Sequence, residues 1–404
     1  MKSLFNRSVA ALAAAGLMLG SAERGLAQAP GTPAAPLAGG YAAANGGAFM
    51  NVQGEPIVMP ASYGQPMGGY GEMCQDPSGC YGGCPDEGNV DFGGASFPDQ
   101  CGPHYFDIAV GAVALRPDGL FQDVPALGSI GVAGPLILDP DATFDDYEVG
   151  WQIAARLDFG PLSVLEATYM GIYDIGFNDQ VVSTEVANGL NFQLNSVFSQ
   201  YGINPIDGLD QAAVFDLDYQ SDLQSTEFSY RRYWVGYNPR VSGTYLAGFR
   251  YIRMTEDLAF DAIALLGDSS IDWSSENDLL GAQLGGDGWI SLRQGLRLGG
   301  EAKAGIYNNR FKYGKVTAIP DPDITNVDFE TEGNQVAFAG EASIDLVADI
   351  LPSISLRGGY QVLYLNSLVT VGNNIDPNDI TSTVLFSQAD AVYSGFRGGI
   401  EYIW

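Results

Sequence analysis

The sequence predicts an all-β protein: a transmembrane antiparallel up-and-down β-barrel of about ten strands (10–12), preceded by a disordered N-terminal linker. Three observations carry that prediction. An export signal is followed by no helical span, the chain alternates with period two over long runs, and the connections between those runs are alternately long and short. Composition agrees, since Gly 53, Tyr 21 and Phe 20 with only 16% charged residues suit strands and turns better than a helical enzyme. The formal net charge of -30 and pI near 4.1 exclude nucleic acid as a partner, because a phosphate backbone is repelled by such a surface.

Residues 1–27 read as a secretory signal peptide: Lys2 and Arg7, the apolar run from Val9 to Leu19, then small residues, with cleavage after Ala27 preferred to cleavage after Ala22. The apolar run is shorter than the ~20 residues a spanning helix needs, and no later segment reaches that length. Residues 28–103 form an Ala/Gly/Pro-rich linker without periodicity that ends in a four-cysteine segment. In an exported chain the even count of Cys74, Cys80, Cys84 and Cys101 favours two disulfides of open connectivity over a zinc site, whose usual ligand spacing is lacking.

Residues 104–404 are expected to form the barrel. The clearest strand sets Tyr147, Val149, Trp151, Ile153, Ala155, Leu157 and Phe159 against Glu148, Gly150, Gln152, Ala154, Arg156 and Asp158. One face is apolar and bounded by aromatics; the other is charged, as in a wall with lipid outside and a polar lumen inside. The same parity returns around Leu296–Ile306 and Val336–Leu346, so strands are placed near 105–116, 146–159, 162–173, 227–236, 244–254, 278–290, 295–307, 335–348, 354–365 and 390–404. The connections at 117–145, 174–226, 255–277, 308–334 and 366–389 are then long and the others short, the outer-membrane barrel rule that puts long loops outside.

Strand charges mostly fall on the parity opposite the apolar residues, as they must if an Arg or Lys at the lipid midplane costs about 2–4 kcal/mol. Glu148, Arg156, Asp158, Arg297, Glu301, Lys303, Glu341, Arg357, Arg397 and Glu401 are therefore expected to form a mixed-sign lumen network. The exception is Arg231 beside Arg232, one of which must face lipid or an interface. The five long connections carry 26 acidic and 3 basic residues, so an acidic outer mouth is expected, with Asp207, Asp210, Asp216 and Asp218 in it, and an open pore should be narrow and prefer cations. At the C-terminus Phe396, Ile400, Tyr402 and Trp404 share one face and resemble the β-signal by which the barrel assembly machinery recognises outer-membrane proteins.

The stretches 248–253 (Gly-Phe-Arg-Tyr-Ile-Arg), 277–285, 300–306 and Gly359-Tyr360-Gln361 resemble the planctomycete β-barrel porin family seven over roughly residues 105–404. The resemblance implies an outer-membrane barrel and a planctomycete source; it supplies no catalytic residues. No enzyme is expected, because His104, the sole histidine, sits at the start of the first strand, and Gly267-Asp268-Ser269-Ser270 is a hydrolase-like block without a later histidine. No cofactor or metal is assigned, and the pairs Asp139/Asp141 and Asp321/Asp323 read as solvated loop acids ahead of a weak calcium site. Two functions follow: a narrow porin for small solutes or ions, or a non-conducting structural or cell-surface interaction barrel. The expected partners are outer-membrane lipid, the assembly machinery and cell-wall or envelope components.

Overall fold

The structure, a computed structural model, describes residues 106–121, 124–143, 146–158, 162–183, 193–238, 240–351, 353–383 and 388–403, together with the backbone of the short strands Met73–Gln75 and Tyr81–Gly83. The expected signal peptide, Cys80, Cys84, Cys101, the side chain of Cys74, His104 and Trp404 lie outside the described residues.

Ten strands form one closed antiparallel sheet: β1 (Phe106–Asp118), β2 (Glu148–Asp158), β3 (Ser163–Val182), β4 (Ala212–Val235), β5 (Val241–Ala264), β6 (Gly267–Arg293), β7 (Leu296–Ala318), β8 (Asp328–Leu351), β9 (Ile354–Leu368) and β10 (Ala389–Ile403). Each strand pairs with the next in the chain, and β10 closes on β1 with Val392 opposite Asp118 and Ile403 opposite Asp107. The start of β1 and the end of β10 share one rim, termed the near end; the opposite rim is the far end. In the near half closure leaves no open edge, so every strand there finds a hydrogen-bonding neighbour on both sides, whereas the far parts of β3 and β8 pair on one side only.

The expected strand count holds, but the strand lengths do not match the sequence reading. β3 to β8 run for 20 to 27 residues, about twice the 9–11 that cross a bilayer. The expected loop 255–277 is a continuation of β5 and β6, joined by Leu265 and Leu266 alone, with Gly267 at φ +132° where a side chain is disfavoured. Leu258 to Ala264 belong to that continuation. Likewise the expected loop 308–334 shrinks to residues 319–327. β9, β10, β1 and β2 stop after 11 to 15 residues, so the far half is an arc of six long strands.

Parity stays constant along the long strands while polarity reverses. On β7 the outward residues nearest the near end are Leu298, Ala302, Ala304 and Ile306; further on they are Asn308, Arg310 and Lys312. Inward residues change the opposite way, from Arg297, Glu301 and Lys303 to Tyr307, Phe311 and Tyr313. β5, β6 and β8 repeat the switch, for example from outward Leu280 and Leu284 to outward Glu276, Asp272 and Asp268 on β6. The outward apolar residues make a continuous belt, from Val110, Val149 and Phe228 to Phe249, Ile306, Ile344, Leu356 and Ile400. On β6 it runs from Leu280 to Ile290, which at ~3.4 Å per residue and ~45° tilt is ~24 Å, close to the ~25 Å apolar band of a lipid-embedded barrel.

Candidate functional site: the barrel interior

Within the belt, the inward parity brings charges from six or more strands together with little exposure, and they pair. Glu227, Arg250, Glu341 and Lys303, from β4, β5, β8 and β7, form a closed ring: Arg250 lies 3.3 Å from Glu227 and 2.7 Å from Glu341, and Lys303 lies 3.1 and 3.2 Å from the same two carboxylates. These side chains are at most 10% exposed, and the pairs β5–β8 and β4–β7 join strands that are not neighbours, so the ring bridges the lumen.

A second cluster centres on two arginines. Arg231 holds Glu166 and Glu301 at 2.6 Å and Asp287 at 2.9 Å, while Arg156 holds Glu166 and Glu401 at 2.6 Å. A third sets Arg357, 2.9 Å away, and Arg397 on the fully buried Asp345. Arg397 also reaches Ser343 at 2.8 Å and Gln361 at 3.2 Å. Arg357 lies 5.7 Å over the ring of Trp289, whose indole covers the backbone of Gly299 so closely that any side chain there would strike it.

Of the residues assigned to the lumen from sequence, Arg156, Glu301, Lys303, Glu341, Arg357, Arg397 and Glu401 meet in these clusters. Arg297 pairs with Asp349 at 2.7 Å near the near end, and Glu148 and Asp158 stand half-buried at the two ends of β2. Glu301 pairs with Arg231, and Arg357 with Asp345. Sequence reasoning left Arg231 unplaced between lumen and lipid; the register puts Arg231 inward, 6% exposed, and Arg232 outward opposite Tyr245 near the rim. Glu227, Asp287 and Asp349 were not singled out. The signal for Glu227 was present in the parity of Glu227, Ser229, Arg231 and Tyr233 against Phe228, Tyr230, Arg232 and Trp234.

Beyond the belt the interior is an apolar core. Phe215, Leu217 and Tyr219 on β4, Met254, Leu258 and Phe260 on β5, and Ile271 and Trp273 on β6 point inward and are buried. The segments 119–121, 124–141, 193–211 and 369–383 fold in to cover them, contributing Phe121, Leu127, Phe198, Leu209, Val369 and Val371. Phe198 stacks on Trp273 at 6.2 Å, and Phe121 meets Tyr219 edge-on at 4.7 Å. Gly128–Ile130 pairs with Leu194–Ser196, so the first two segments also share a small ladder.

This packing corrects the expected acidic mouth. Asp210 is 5% exposed and knots its own loop, accepting the Ser196 amide at 2.9 Å, the Ser199 hydroxyl at 2.7 Å and the Ile206 amide at 2.6 Å. Burial raises its acid above the ordinary aspartate value, with those hydrogen bonds opposing. Asp216 and Asp218 sit on the outward face of β4, where Asp216 accepts from Asn178 and Gln180 at 3.0 Å. Only Asp207 of the four is an exposed loop acid, and its amide donates to Asp321. Much of the loop charge counted from sequence therefore coats the outside of the strand extensions, where no pore passes. Asp321 also accepts the Asp323 amide at 2.8 Å, and among the described residues no cluster of three or more acidic, histidine or cysteine side chains is arranged to hold a metal ion.

On the last strand, Phe396, Ile400 and Tyr402 face outward in the belt, and Phe396 packs against Tyr360 at 5.2 Å and Tyr147 at 6.0 Å. Ser269 of the hydrolase-like block is buried in the β5–β6 hairpin, and Ser270 bonds to Asp272 at 3.2 Å.

No protein-family model matches the chain, and no curated protein does. Among solved structures the chain is similar to the outer membrane protease OmpT from Escherichia coli (10% identity, 77% of this chain and 99% of that chain, TM-score 0.42). It is also similar to a major outer membrane protein from Thermus thermophilus (10% identity, 74% and 100%, TM-score 0.29) and to the Pseudomonas putida toluene transporter TodX (10% identity, 75% and 90%, TM-score 0.33). At these values no function transfers from any of them.

Proposed function

We propose that the protein is an outer-membrane β-barrel with a sealed interior, a structural or surface-interaction barrel and not an open porin. The observation that carries this reading is the lumen filled along its length: paired, buried charges inside the belt and an apolar core above it. An aqueous pore needs polar groups left to water, and ten strands lie near the size at which side chains fill a barrel. The near end, with short turns, the termini of the barrel and the cysteine-bearing segment leading into it, faces the periplasm. The far end carries the acidic strand extensions outside, toward cell-wall or envelope components. Lipid covers the belt, and the outward Phe396, Ile400 and Tyr402 are the surface offered to the assembly machinery, as expected of the planctomycete family the sequence resembles. No catalytic role is assigned.

The reading is tested in planar bilayers with refolded protein, alongside heat-modifiable gel migration as proof that the barrel has closed. Heat-modifiable protein without conductance steps is expected. Discrete conductance from folded protein means that the narrow-porin reading is right, and recovery of a soluble protein overturns both.

A further inference from the structure

Polar residues pointing inward from the far half of the wall converge on one segment, the strap 367–375. It begins where β9 breaks inward at Ser367, which has φ +59° and follows a shift of register between Leu365 and Leu368. The Asn277 side chain donates to the Val369 carbonyl at 2.7 Å and accepts the Val369 amide at 2.9 Å, an imitation of a β-ladder pair. Asn309 and Gln335 donate to the Ser367 carbonyl at 3.0 and 2.7 Å. Two residues beyond Val369, the Val371 amide donates to Glu256 at 3.2 Å.

Glu256 differs from the paired acids of the lumen. It lies on β5 beyond the belt, where the outward neighbour Asp257 is partly solvated, and is itself 1% exposed. Its other oxygen accepts the Tyr219 hydroxyl at 2.8 Å. The titratable groups acting on it are Tyr219 from β4, Tyr393 from β10 and Asp257 beside it; no cation is among them. A buried carboxyl in such company favours the neutral acid, and burial lifts Glu256 to about 7, outweighing the hydrogen bonds from Tyr219 and the Val371 amide, which favour the charged form. The neutral form needs an acceptor for its proton. Ser221 stands opposite Glu256 in the β4–β5 register, and its buried hydroxyl lies beside that of Tyr219 with lone pairs that can accept. Directly opposed residues have Cβ atoms ~4.5–5.5 Å apart, within reach of a glutamic acid side chain.

We propose that Glu256 is a proton-operated latch: as a neutral acid it pins the strap across the far half of the barrel, and on losing its proton it lets the strap go. The sign follows from the raised value. The docked state takes up a proton that the undocked state lacks, so docking is strongest below the ordinary glutamate range, weakens as pH rises toward about 7, and changes no further above it. The latch acts above the ion-paired lumen, so its outcome is independent of the sealed-barrel reading.

The test is hydrogen exchange of peptides covering 366–376 in the full chain refolded into lipid vesicles, at pH 5 and pH 8, corrected for intrinsic rates. Protection in the wild type is expected to fall about tenfold or more between the two. Glu256→Gln keeps the strap docked at both pH values, and Ser221→Ala, which removes the acceptor, moves the wild-type step to lower pH. A wild type without the step overturns the latch. So does a step that persists in Glu256→Gln or keeps its midpoint in Ser221→Ala.

Discussion

The two halves of the barrel wall use one alternation for opposite ends. In the belt, Ile306 faces out and Lys303 faces in; seven to ten residues beyond Ile306 on the same strand, Tyr313 faces in and Val316 faces out beyond the polar Asn308, Arg310 and Lys312. The backbone does not change register at the switch, so the difference lies wholly in what surrounds each face. Where lipid lies outside, charges are driven inward and must pair; where water lies outside, the wall behaves as a soluble sheet with its apolar face covered by loops. On the proposed reading a single strand thus carries two solvent regimes, and the site of the switch marks the edge of the membrane.

The largest effect should come from breaking the charged half. Arg231→Ala leaves Glu166, Asp287 and Glu301 without their shared cation in a buried cluster, and removing one partner of such a group costs about 3–5 kcal/mol. Denaturant unfolding in lipid vesicles measures it. A loss below about 1 kcal/mol would mean that water reaches the cluster, and with it that the lumen is open.

The switch itself is tested by one substitution placed twice on one face of one strand. Ile306→Lys puts a charge into the belt and should cost about 2–4 kcal/mol, whereas Val316→Lys, on the same outward parity ten residues on, should cost under about 0.5 kcal/mol. Equal costs would erase the proposed membrane edge between them.

How much of this was legible in the sequence follows the same division. The belt strands announce themselves because Val149, Trp151, Ile153 and Leu157 alternate with polar and charged partners in the familiar sense. Their number and closure followed. The extensions were hidden by their chemistry: Gly267–Asn277, with Asp268, Ser270, Asp272, Ser274 and Glu276 outward, has the composition of a loop, and only Ile271 and Trp273 betray the inward face. Parity could place Arg156 and Glu301 in the lumen but could not say which partners cross it, since the Arg250–Glu341 contact joins residues 91 apart through barrel closure. Asp210 was misassigned because burial of a loop acid depends on the fold of its own loop, which no periodicity reports.

A smaller effect is expected in the far half at Asp210. Asp210→Ala strips the Ser196 and Ile206 amides of their acceptor, at about 1–3 kcal/mol if they stay buried. The loss should be local, seen as faster proteolysis within 193–211 while heat-modifiable migration is unchanged. Loss of that migration would show that the apolar plug is needed to close the barrel below it.

The smallest effect sharpens the comparison by using the same chemistry in both halves. Arg310 and Glu332 pair at 3.0 Å on the outward face of β7 and β8, but their side chains are 58% and 63% exposed. Arg250 and Glu341 pair at a similar distance with 2% and 10% exposure. Water screens the first pair and side-chain entropy offsets it, so a double-mutant cycle should give a coupling of about 0.2–1 kcal/mol, shrinking as the screening length falls from ~10 Å at 0.1 M salt to ~3 Å at 1 M. The Arg250–Glu341 cycle should give a larger coupling that barely responds to salt, because ions have no path to the ring. Equal salt sensitivity in the two cycles would place mobile ions inside the lumen, the one arrangement a sealed barrel forbids.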